Sequence, residues 1–412
     1  MSEMSYLEKL LDGVEVEWKA VGDIAGYSTT KVDADKLDAT SFVGVDNLLA
    51  DKGGRIDATY QPNTARLTAY EPGDILLGNI RPYLKKVWMA ENNGGCSGDV
   101  LAIRILADCK KIISPEYLYY ALSSDSFFSY SMQHAKGAKM PRGSKDAILN
   151  YHIPIPCPSA PGKSLAIQSE IVRILDKFTA LTAELTAELN IRKKQYNYYR
   201  DKLLSFEEDE VEWKTLGEIA KIQRGASPRP IAQYMTDADD GIPWIKIGDT
   251  SPDSKYINGT AQKVTPDGAK KSRILNPGDF VISNSMSFGR PYILSITGAI
   301  HDGWASISDF SERLDSDYLY HYLSSQRVKN YWGSKINSGS VSNLNADIIK
   351  TLPLPLPDIQ KQKWIATLLD KFDTLTSSIS EGIPREIELR QKQYEYYRDL
   401  LFSFPKSEAA SN

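Results

Sequence analysis

The 412-residue sequence contains an internal duplication, in which matching motifs recur about 200 positions apart. Val16-Glu17-Trp18-Lys19 returns as Val211-Glu212-Trp213-Lys214, and Leu175-Asp176-Lys177-Phe178 returns as Leu369-Asp370-Lys371-Phe372. Further motif pairs keep the same order between these two: Pro72-Gly73-Asp74 with Pro277-Gly278-Asp279, Arg81-Pro82-Tyr83 with Arg290-Pro291-Tyr292, Tyr117-Leu118-Tyr119 with Tyr318-Leu319-Tyr320, and Ile153-Pro154-Ile155-Pro156 with Leu352-Pro353-Leu354-Pro355. Such a period is too long for a solenoid, so each copy is a whole domain with its own helical extension.

The repeat is arranged circularly. Lys9-Leu10-Leu11 matches Lys202-Leu203-Leu204, which stands just ahead of the second Val-Glu-Trp-Lys motif. The chain therefore begins with the end of the helix that closes the first repeat. We expect residues 1–13 to be a helical segment that completes the repeat, and the two halves to be related by a pseudo-twofold axis.

Composition narrows the function classes. The chain has 49 Lys and Arg against 53 Asp and Glu, a net charge of −4, so a uniformly basic nucleic-acid coat is excluded and any DNA surface must be local. Three scattered cysteines argue against a disulfide framework, and four dispersed histidines lack the spacing of metal ligands. With no apolar run near the roughly 20 residues of a membrane span, we expect a cytoplasmic protein.

Each half opens with a β-rich domain, predicted over residues 14–158 and 207–357. In the first, apolar runs of strand length lie between turn residues, as in Ile75-Leu76-Leu77 and Val100-Leu101-Ala102-Ile103. The stretch from Pro115 to Ser124 has helical apolar spacing. We expect the Ile-Pro-Ile-Pro motif to end the domain, because proline suits neither a helix interior nor a central strand. The fold class is therefore α/β (α+β).

Residues 159–206 and 358–406 are predicted to be long helical spacers that pack as an antiparallel coiled coil. Gly382 and Pro384 should break the second spacer, and residues 407–412 should form a disordered tail. Each spacer carries an apolar and aromatic seam, which serves either as a partner-docking surface or as internal packing. The seam positions are Phe178, Leu181, Leu185, Leu189, Tyr196 and Tyr199 in the first spacer, and Phe372, Leu375, Tyr394 and Tyr397 in the second.

A search for catalytic motifs finds little. Asn276-Pro277-Gly278-Asp279-Phe280 is similar to the Asn-Pro-Pro-aromatic loop of amino-methyltransferases, but a Pro-Gly turn before a strand explains it better. The Glu-x-Lys of the Val-Glu-Trp-Lys motif fits the end of a nuclease site, yet no paired acid precedes it. No Gly-rich cofactor loop or Walker motif is found. A lone methyltransferase or nuclease with a divergent site, and a scaffold without DNA contact, are the rival hypotheses.

Local basicity is the strongest functional signal. Lys136, Lys139, Arg142 and Lys145 follow one another in a glycine-containing stretch with a single acid, which suits a loop that tracks phosphates. The corresponding stretch of the second half is polar, and its hydrogen-bonding groups are of the kind that read base edges. The candidates there are Ser338, Ser340 and Asn343. Two solvated loops without function are the alternative.

Two weaker patches complete the candidate DNA contacts. The first comprises Asn79, Arg81, Tyr83, Lys85 and Lys86, with Asn284, Arg290 and Tyr292 as its partial match in the second half. An Arg-Pro-Tyr tripeptide fits equally well a DNA contact and an arginine that pins a turn. The second patch comprises Arg224 and Lys246.

The duplicated motifs, together with the Gln-x-x-Ile-x-x-Ile-Leu-Asp-Lys-Phe helix, resemble the specificity subunit of type I restriction-modification systems over essentially the whole chain. The resemblance is closest in Leu175 to Phe206 and Arg390 to Phe404, which look like the IC subclass. It implies two target recognition domains, each binding one half of a bipartite double-stranded DNA target. It also implies that the helical spacers set the gap between the halves and dock two methyltransferase subunits, with two restriction-motor subunits joining the larger complex.

The same resemblance implies that this chain has no catalytic site and holds no metal. S-adenosylmethionine, ATP and Mg²⁺ are expected on the partner subunits. No membrane association is implied.

Overall fold

The computed structural model describes residues 6–11, 13–251, 254–283, 289–310, 312–337, 344–378 and 380–404. The chain divides into two compact units, one formed by residues 1–182 and 390–412 and the other by residues 183–389. Each unit therefore joins one β-rich region to parts of both helical segments. The expected tail at 407–412 lies outside the described residues.

The first unit contains a two-stranded ribbon, in which Val16–Ala20 pairs antiparallel with His152–Pro156. The Val-Glu-Trp-Lys motif therefore lies against the Ile-Pro-Ile-Pro motif. The proline motif is itself a strand, which a two-stranded ribbon permits because each of its strands has a free edge. Two four-stranded sheets follow, with the orders Ala25–Tyr27, Val100–Ile105, Ile75–Gly78, Val87–Met89 and Lys31–Asp33, Arg66–Tyr70, Gly94–Cys96, Phe42–Val43.

The helices of the first unit pack on one of these sheets. They are Tyr6–Leu11, Val21–Ile24, Pro115–Leu122, Asp125–Gln133 and Lys145–Asn150, with 3-10 turns at Ala34–Lys36, Pro82–Leu84 and Ala107–Cys109. The predicted helix after residue 115 is confirmed. Ser114 caps it by accepting a hydrogen bond from the Tyr117 N–H at 3.2 Å, and Pro115 fills the first helical position. Its inner face, with Leu118, belongs to the same buried cluster as Ile103 of the sheet and Ile171 of the long helix.

The second unit repeats this plan, but each of its two larger sheets has five strands instead of four. Glu212–Thr215 pairs antiparallel with Pro353–Leu356. Two five-stranded sheets have the orders Lys221–Arg224, Trp304–Ser308, Phe280–Ser283, Pro291–Leu294, Tyr256–Ile257 and Met235–Thr236, Lys263–Val264, Ile242–Ile245, Gly298–Ile300, Arg273–Leu275. The helices and 3-10 turns of its β-rich region are Leu216–Ile219, Ile231–Gln233, Ile247–Asp249, Pro266–Lys270, Ser316–Leu323, Gln326–Asn337 and Ala346–Lys350.

The Tyr-Leu-Tyr motif and the proline motif make the same hydrogen bond in both units. The first tyrosine of each Tyr-Leu-Tyr motif is buried and donates to a proline carbonyl of the ribbon. Tyr117 Oη donates to the Pro154 oxygen at 2.9 Å, and Tyr318 Oη donates to the Pro355 oxygen at 3.1 Å. Each bond fastens a helix to the ribbon in its own unit.

A buried glutamine does the same for the start of each spacer. The Gln168 side-chain oxygen accepts from the Ser114 N–H at 3.0 Å, and the Gln362 side-chain oxygen accepts from the Asp315 N–H at 2.9 Å. Both glutamines are at most 1% exposed. Sequence reasoning placed them in the Gln-x-x-Ile helix motif without giving them this role.

The first spacer is a helix of 43 residues, Pro161–Leu203, so the predicted uninterrupted helix is confirmed. The second segment consists of two helices, Ile359–Ser377 and Ile383–Leu401. The break lies where Gly382 and Pro384 predicted it. Gly382 has φ +121°, which glycine adopts without the strain that a side chain would cause. The antiparallel packing of the two spacers stays a prediction.

Candidate nucleic-acid interface

The basic stretch of the first half forms a loop between the helices Asp125–Gln133 and Lys145–Asn150. The backbones of Lys136 and Arg142 exchange two hydrogen bonds, both of 2.9 Å, which close the loop into a small ladder. The side chains of Lys136, Lys139 and Arg142 are exposed. The loop therefore presents three cations to solvent on a tied backbone.

The loop that follows the strand Ile75–Gly78 is hydrogen-bonded to this ladder. The Gly143 N–H donates to the Asn79 oxygen at 3.0 Å, and the Arg81 N–H donates to the Pro141 oxygen at 2.7 Å. Arg81 is exposed and has φ +53°. Two patches that the sequence analysis treated separately thus form one basic surface, comprising residues 79–81 and 136–145.

Two further contacts hold this basic surface. The Arg142 guanidinium lies 3.2 Å from the Asp99 carboxylate, and both side chains are largely exposed. Such surface pairs contribute about 0–1 kcal/mol, so Arg142 can exchange Asp99 for another anion at little cost. Lys145 is exposed, its ammonium lies 5.9 Å from the centre of the Tyr27 ring, and its backbone oxygen accepts from Tyr27 Oη at 2.8 Å.

Tyr83 and Lys85 differ from the rest of their predicted patch. Tyr83 is 49% exposed and so is available for contact. Lys85 has its ammonium 2.8 Å from the Asp125 carboxylate, so it already makes an ion pair within the unit. The structure thus gives Lys85 a structural contact that the sequence analysis did not expect.

Asp125 collects three cations. Besides Lys85, its carboxylate lies 3.1 Å from Lys52 and 3.0 Å from the buried Arg398 guanidinium. Burial by itself would raise the pKa of the Asp125 carboxyl, but the hydrogen bond from Lys85 and the charges of Lys52 and Arg398 outweigh it and hold the pKa well below its ordinary value. Sequence reasoning missed this cluster, because nothing local marks Asp125 as different from any surface acid.

The candidates of the second unit are more scattered. Arg224 is exposed and its Nε donates to the Asp302 carbonyl at 3.3 Å, while the Lys246 ammonium donates to the Gln262 side-chain oxygen at 2.5 Å. The Arg290 guanidinium lies 5.4 Å from the centre of the Tyr292 ring. Among the described residues, Arg224 and Lys246 thus have partners outside the candidate set, and Arg290 contacts the candidate Tyr292.

Tyr292 corrects the prediction made from the Arg-Pro-Tyr repeat. It is 3% exposed and packs edge-on against Trp304, so its ring belongs to the core of the unit rather than to an exposed patch. In the first unit Pro82 opens a 3-10 turn that leaves Tyr83 outside, whereas in the second Pro291 begins a strand whose side chains are buried. One tripeptide therefore occupies two different conformations.

Ser338, Ser340 and Asn343 lie outside the described residues, so the polar loop of the second half stays a prediction.

A buried polar cluster connects the β-rich region of the second unit to the spacer helices within that unit. His321 is fully buried, with its Nδ1 3.0 Å from Tyr196 Oη and its Nε2 2.8 Å from the Asp370 carboxylate. Lys255 reaches the same carboxylate at 2.6 Å and Asp317 at 2.7 Å. Burial would raise the pKa of Asp370, but the bonds from His321 and Lys255 lower it below its ordinary value. The sequence analysis did not predict this cluster, because it found only that the four histidines lack the spacing of metal ligands.

The predicted seams pack in equivalent ways within each unit. In the first, the rings of Phe178 and Tyr397 stack with centroids 5.3 Å apart, and in the second Phe372 and Tyr199 stack at 5.8 Å. Tyr196 is 8% exposed and therefore belongs to the internal packing. The remaining seam positions are half-buried or exposed: Leu185, Leu189 and Tyr394 are half-buried, and Leu181 and Leu375 are each 37% exposed.

The described residues contain no group of three or more His, Cys, Asp or Glu side chains that could hold a metal ion. In the same part of the chain, no helix combines the length and apolar content that a membrane crossing requires.

Comparison with known proteins identifies the class. The family profile of the type I restriction modification DNA specificity domain matches residues 72–192 and 208–389, once in each half. The chain is 41% identical to the type I restriction enzyme EcoR124I/EcoR124II specificity subunit of Escherichia coli, with all of both chains covered. It is 31% identical to a putative type I specificity subunit of Haemophilus influenzae, covering 97% of this chain and 98% of that one. The chain belongs to the type I restriction enzyme specificity subunits.

Solved structures agree in fold. A chain from work on complex assembly and conformational transition of the type I R-M system matches with a TM-score of 0.60 at 19% identity, covering 94% of this chain and 97% of that one. A type I restriction-modification S subunit from M. genitalium matches with a TM-score of 0.53 at 14% identity, covering 96% and 98%. The fold class expected from the sequence is confirmed.

Proposed function

We propose that this specificity subunit reads a bipartite double-stranded DNA target, with residues 14–158 reading one half and residues 207–357 the other. The observation that supports this most strongly is the contrast between frame and loops. Each unit repeats the same ribbon, capped helix and buried glutamine, while the basic loop at residues 136–145 of the first unit corresponds to a stretch of the second, residues 335–343, that is polar rather than basic. Two readers of different sequences need the same scaffold and different contact chemistry.

The basic surface supplies the phosphate-binding part of this function. Lys136, Lys139 and Arg142 are exposed on one tied loop, and Arg81 adds a fourth cation beside it. A net charge of −4 over the whole chain makes such a local concentration of cations more distinctive. We expect the DNA affinity to fall with salt in proportion to the number of phosphates bound.

The helical spacers serve two further roles in this proposal. They dock two methyltransferase subunits through exposed seam residues such as Leu181 and Leu375, and they set the gap between the half-targets. Two restriction-motor subunits complete the larger complex. The chain itself is non-catalytic, and the partners hold S-adenosylmethionine, ATP and Mg²⁺.

In this proposal the length of the first spacer helix determines the number of base pairs between the two half-targets. The tandem units Thr182-Ala183-Glu184-Leu185 and Thr186-Ala187-Glu188-Leu189 lie within the unbroken helix Pro161–Leu203. One four-residue unit spans about 6 Å of helix, and B-DNA rises ~3.4 Å per base pair. Inserting a third unit should lengthen the recognised gap by one or two base pairs, read by mapping methylated sites. An unchanged gap would contradict the role of the spacer.

The test of the whole proposal is methylation mapping across the genome of a host that expresses this chain with its methyltransferase subunit. A second host expresses the methyltransferase subunit alone. We expect a split motif, two short specified blocks around a fixed gap, only in the first host. Methylation without a new motif, with the partner folded and present, would contradict the proposal and favour a scaffold without DNA reading.

A further inference from the structure

Asn79 is an unusual residue at the centre of the basic surface. It follows the strand Ile75–Gly78, and its side chain is among the few buried polar groups of the unit, with the residue 8% exposed. Its backbone is fixed on both sides, because its N–H donates to the Asp99 oxygen at 2.8 Å and its carbonyl accepts from the Gly143 N–H at 3.0 Å. The backbone position of Asn79 is therefore rigid.

The side chain of Asn79 is not satisfied in the same way. Its Oδ1 is buried and has no hydrogen-bond partner among the described residues. Leaving a buried amide oxygen unpaired destabilises the free protein, so a residue of this kind requires an explanation. An apolar residue in its place would avoid the cost.

Gly143 makes the space that this amide occupies. A Cβ at position 143 would lie 2.8 Å from Asn79 Oδ1, closer than a side-chain carbon tolerates. The loop that carries Lys136 and Arg142 thus approaches the amide at Gly143, a residue without a side chain. The free amide and the exposed cations belong to the same few residues of chain.

The hydrogen-bonding groups of an amide determine which groups of DNA it can bind. Its side chain offers one donor and one acceptor side by side. In the major groove adenine presents the complementary pair, the N7 acceptor beside the N6 amino donor, whereas guanine presents two acceptors there. Phosphate offers acceptors alone, which the neighbouring Arg81, Lys136 and Arg142 satisfy better than an amide does.

We infer that Asn79 is a base-reading residue that recognises an adenine in the half-target read by the first unit, while the surrounding cations bind phosphates. Rotation of the side chain toward the groove gives Oδ1 the hydrogen bond it lacks in the free protein. This inference rests on the proposed function, because it assigns one contact within the DNA surface. The second half carries Asn284 at the corresponding sequence position, outside the described residues.

The experiment uses the full chain assembled with its methyltransferase subunit, with methylated sites mapped genome-wide for wild type, Asn79→Ala, Asn79→Asp and Lys139→Ala. In Asn79→Ala we expect one adenine position in one half of the motif to lose its specification, with discrimination falling on the order of 10- to 100-fold. Asn79→Asp should lose adenine and move toward cytosine, whose amino group donates to a carboxylate. The other half and the gap should not change.

Lys139→Ala is the matched phosphate control. It should lower methylation uniformly across all targets without altering the motif. Thermal unfolding adds a second readout, because Asn79→Ala removes an unpaired buried amide and should leave the melting temperature unchanged or higher. A structural role for Asn79 would instead lower it.

Three results separate the inference from the proposed function. Loss of one adenine in one half with retained stability supports the inference. A fully specified motif in Asn79→Ala, or a uniform loss like that of Lys139→Ala, overturns the inference and leaves the proposed function standing. A wild-type complex without any split motif overturns both.

Discussion

The two units share a frame but fasten it to their spacers with different polar groups. Arg398, in the last turn of the second spacer, pairs with the adjacent Asp399 at 3.2 Å and with Asp125 at 3.0 Å. Its sequence counterpart Arg200 pairs with the adjacent Asp201 at 3.3 Å. The counterpart of Asp125 is Gln326, which has no charge. Both arginines thus pair with the acid next to them in sequence, and Arg398 pairs in addition with Asp125, a position that carries no charge in the second unit.

This difference between the units depends on which loop residues contact the acid beside each spacer. In the first unit Lys52 and Lys85 converge on Asp125, so the carboxylate connects the loop near the basic surface to the spacer helix. In the second unit that role falls to Asp370, which receives Lys255 and His321. The comparison teaches that the repeated frame is held by backbone-directed bonds common to both units, while each reading region has its own charged connection to the helices.

Asp125→Gln gives the first unit the residue that the second unit carries. The change leaves the fully buried Arg398 side chain without its main carboxylate, so the free energy of unfolding should fall by about 3 kcal/mol, measured by urea unfolding. Asp99→Asn is the control, because it removes only the exposed partner of Arg142 and should cost less than about 1 kcal/mol. Equal losses in the two variants would show that Asp125 is no more than a surface acid.

The same carboxylate makes stability depend on pH. The pKa of Asp125 is lower in the folded protein than its ordinary value of 3.8, so its contribution is present above that value and is lost as pH falls toward the folded pKa. The stability difference between wild type and Asp125→Gln should be constant between roughly pH 5 and 7 and shrink below about pH 4. A difference that grows on acidification would contradict the assigned pKa direction.

A substitution at His321 gives the second unit the residue that the first unit carries at the corresponding position. Its counterpart in the first unit is Tyr120, whose Oη donates to Asp176 at 2.5 Å. His321→Phe removes both hydrogen bonds and should lower the unfolding free energy by about 2 kcal/mol. His321→Tyr adds similar volume but can donate to Asp370, so it should be about 1 kcal/mol more stable than His321→Phe. Equal stability would mean that the bond to Asp370 contributes nothing.

Gln326→Asp has the smallest expected effect. It supplies the second unit with the acid of the first, at the start of the helix Gln326–Asn337, where a negative charge is favoured. We expect a gain of about 0.5 kcal/mol in unfolding free energy, measured against wild type by urea unfolding. The N–H of Gln326 already donates to the Asp201 carboxylate at 3.2 Å, so a loss of stability would show that repulsion from Asp201 dominates.

Local patterns predicted much of the fold. Apolar runs between turn residues gave the strands around Ile75 and Val100, and glycine with proline located the break before Ile383. These features depend on neighbours in sequence, so a single sequence contains the necessary signal.

The joins between distant segments escaped prediction. The ladder that brings Asn79 to Gly143 depends on a register set by the whole unit, and no local pattern specifies it. Tyr83 and Tyr292 share a tripeptide yet differ in burial, because Tyr83 lies in a 3-10 turn and Tyr292 lies in a strand. The clusters at Asp125 and His321 combine residues far apart in the chain and are likewise invisible to spacing.

The central claim is that each half reads its own part of the target on a shared frame. Its most direct test exchanges residues 14–158 for the corresponding segment of the 41%-identical Escherichia coli specificity subunit and maps methylation with the methyltransferase partner. We expect one half of the split motif to be replaced while the other half and the gap stay the same. A change in both halves, or in neither, would contradict it.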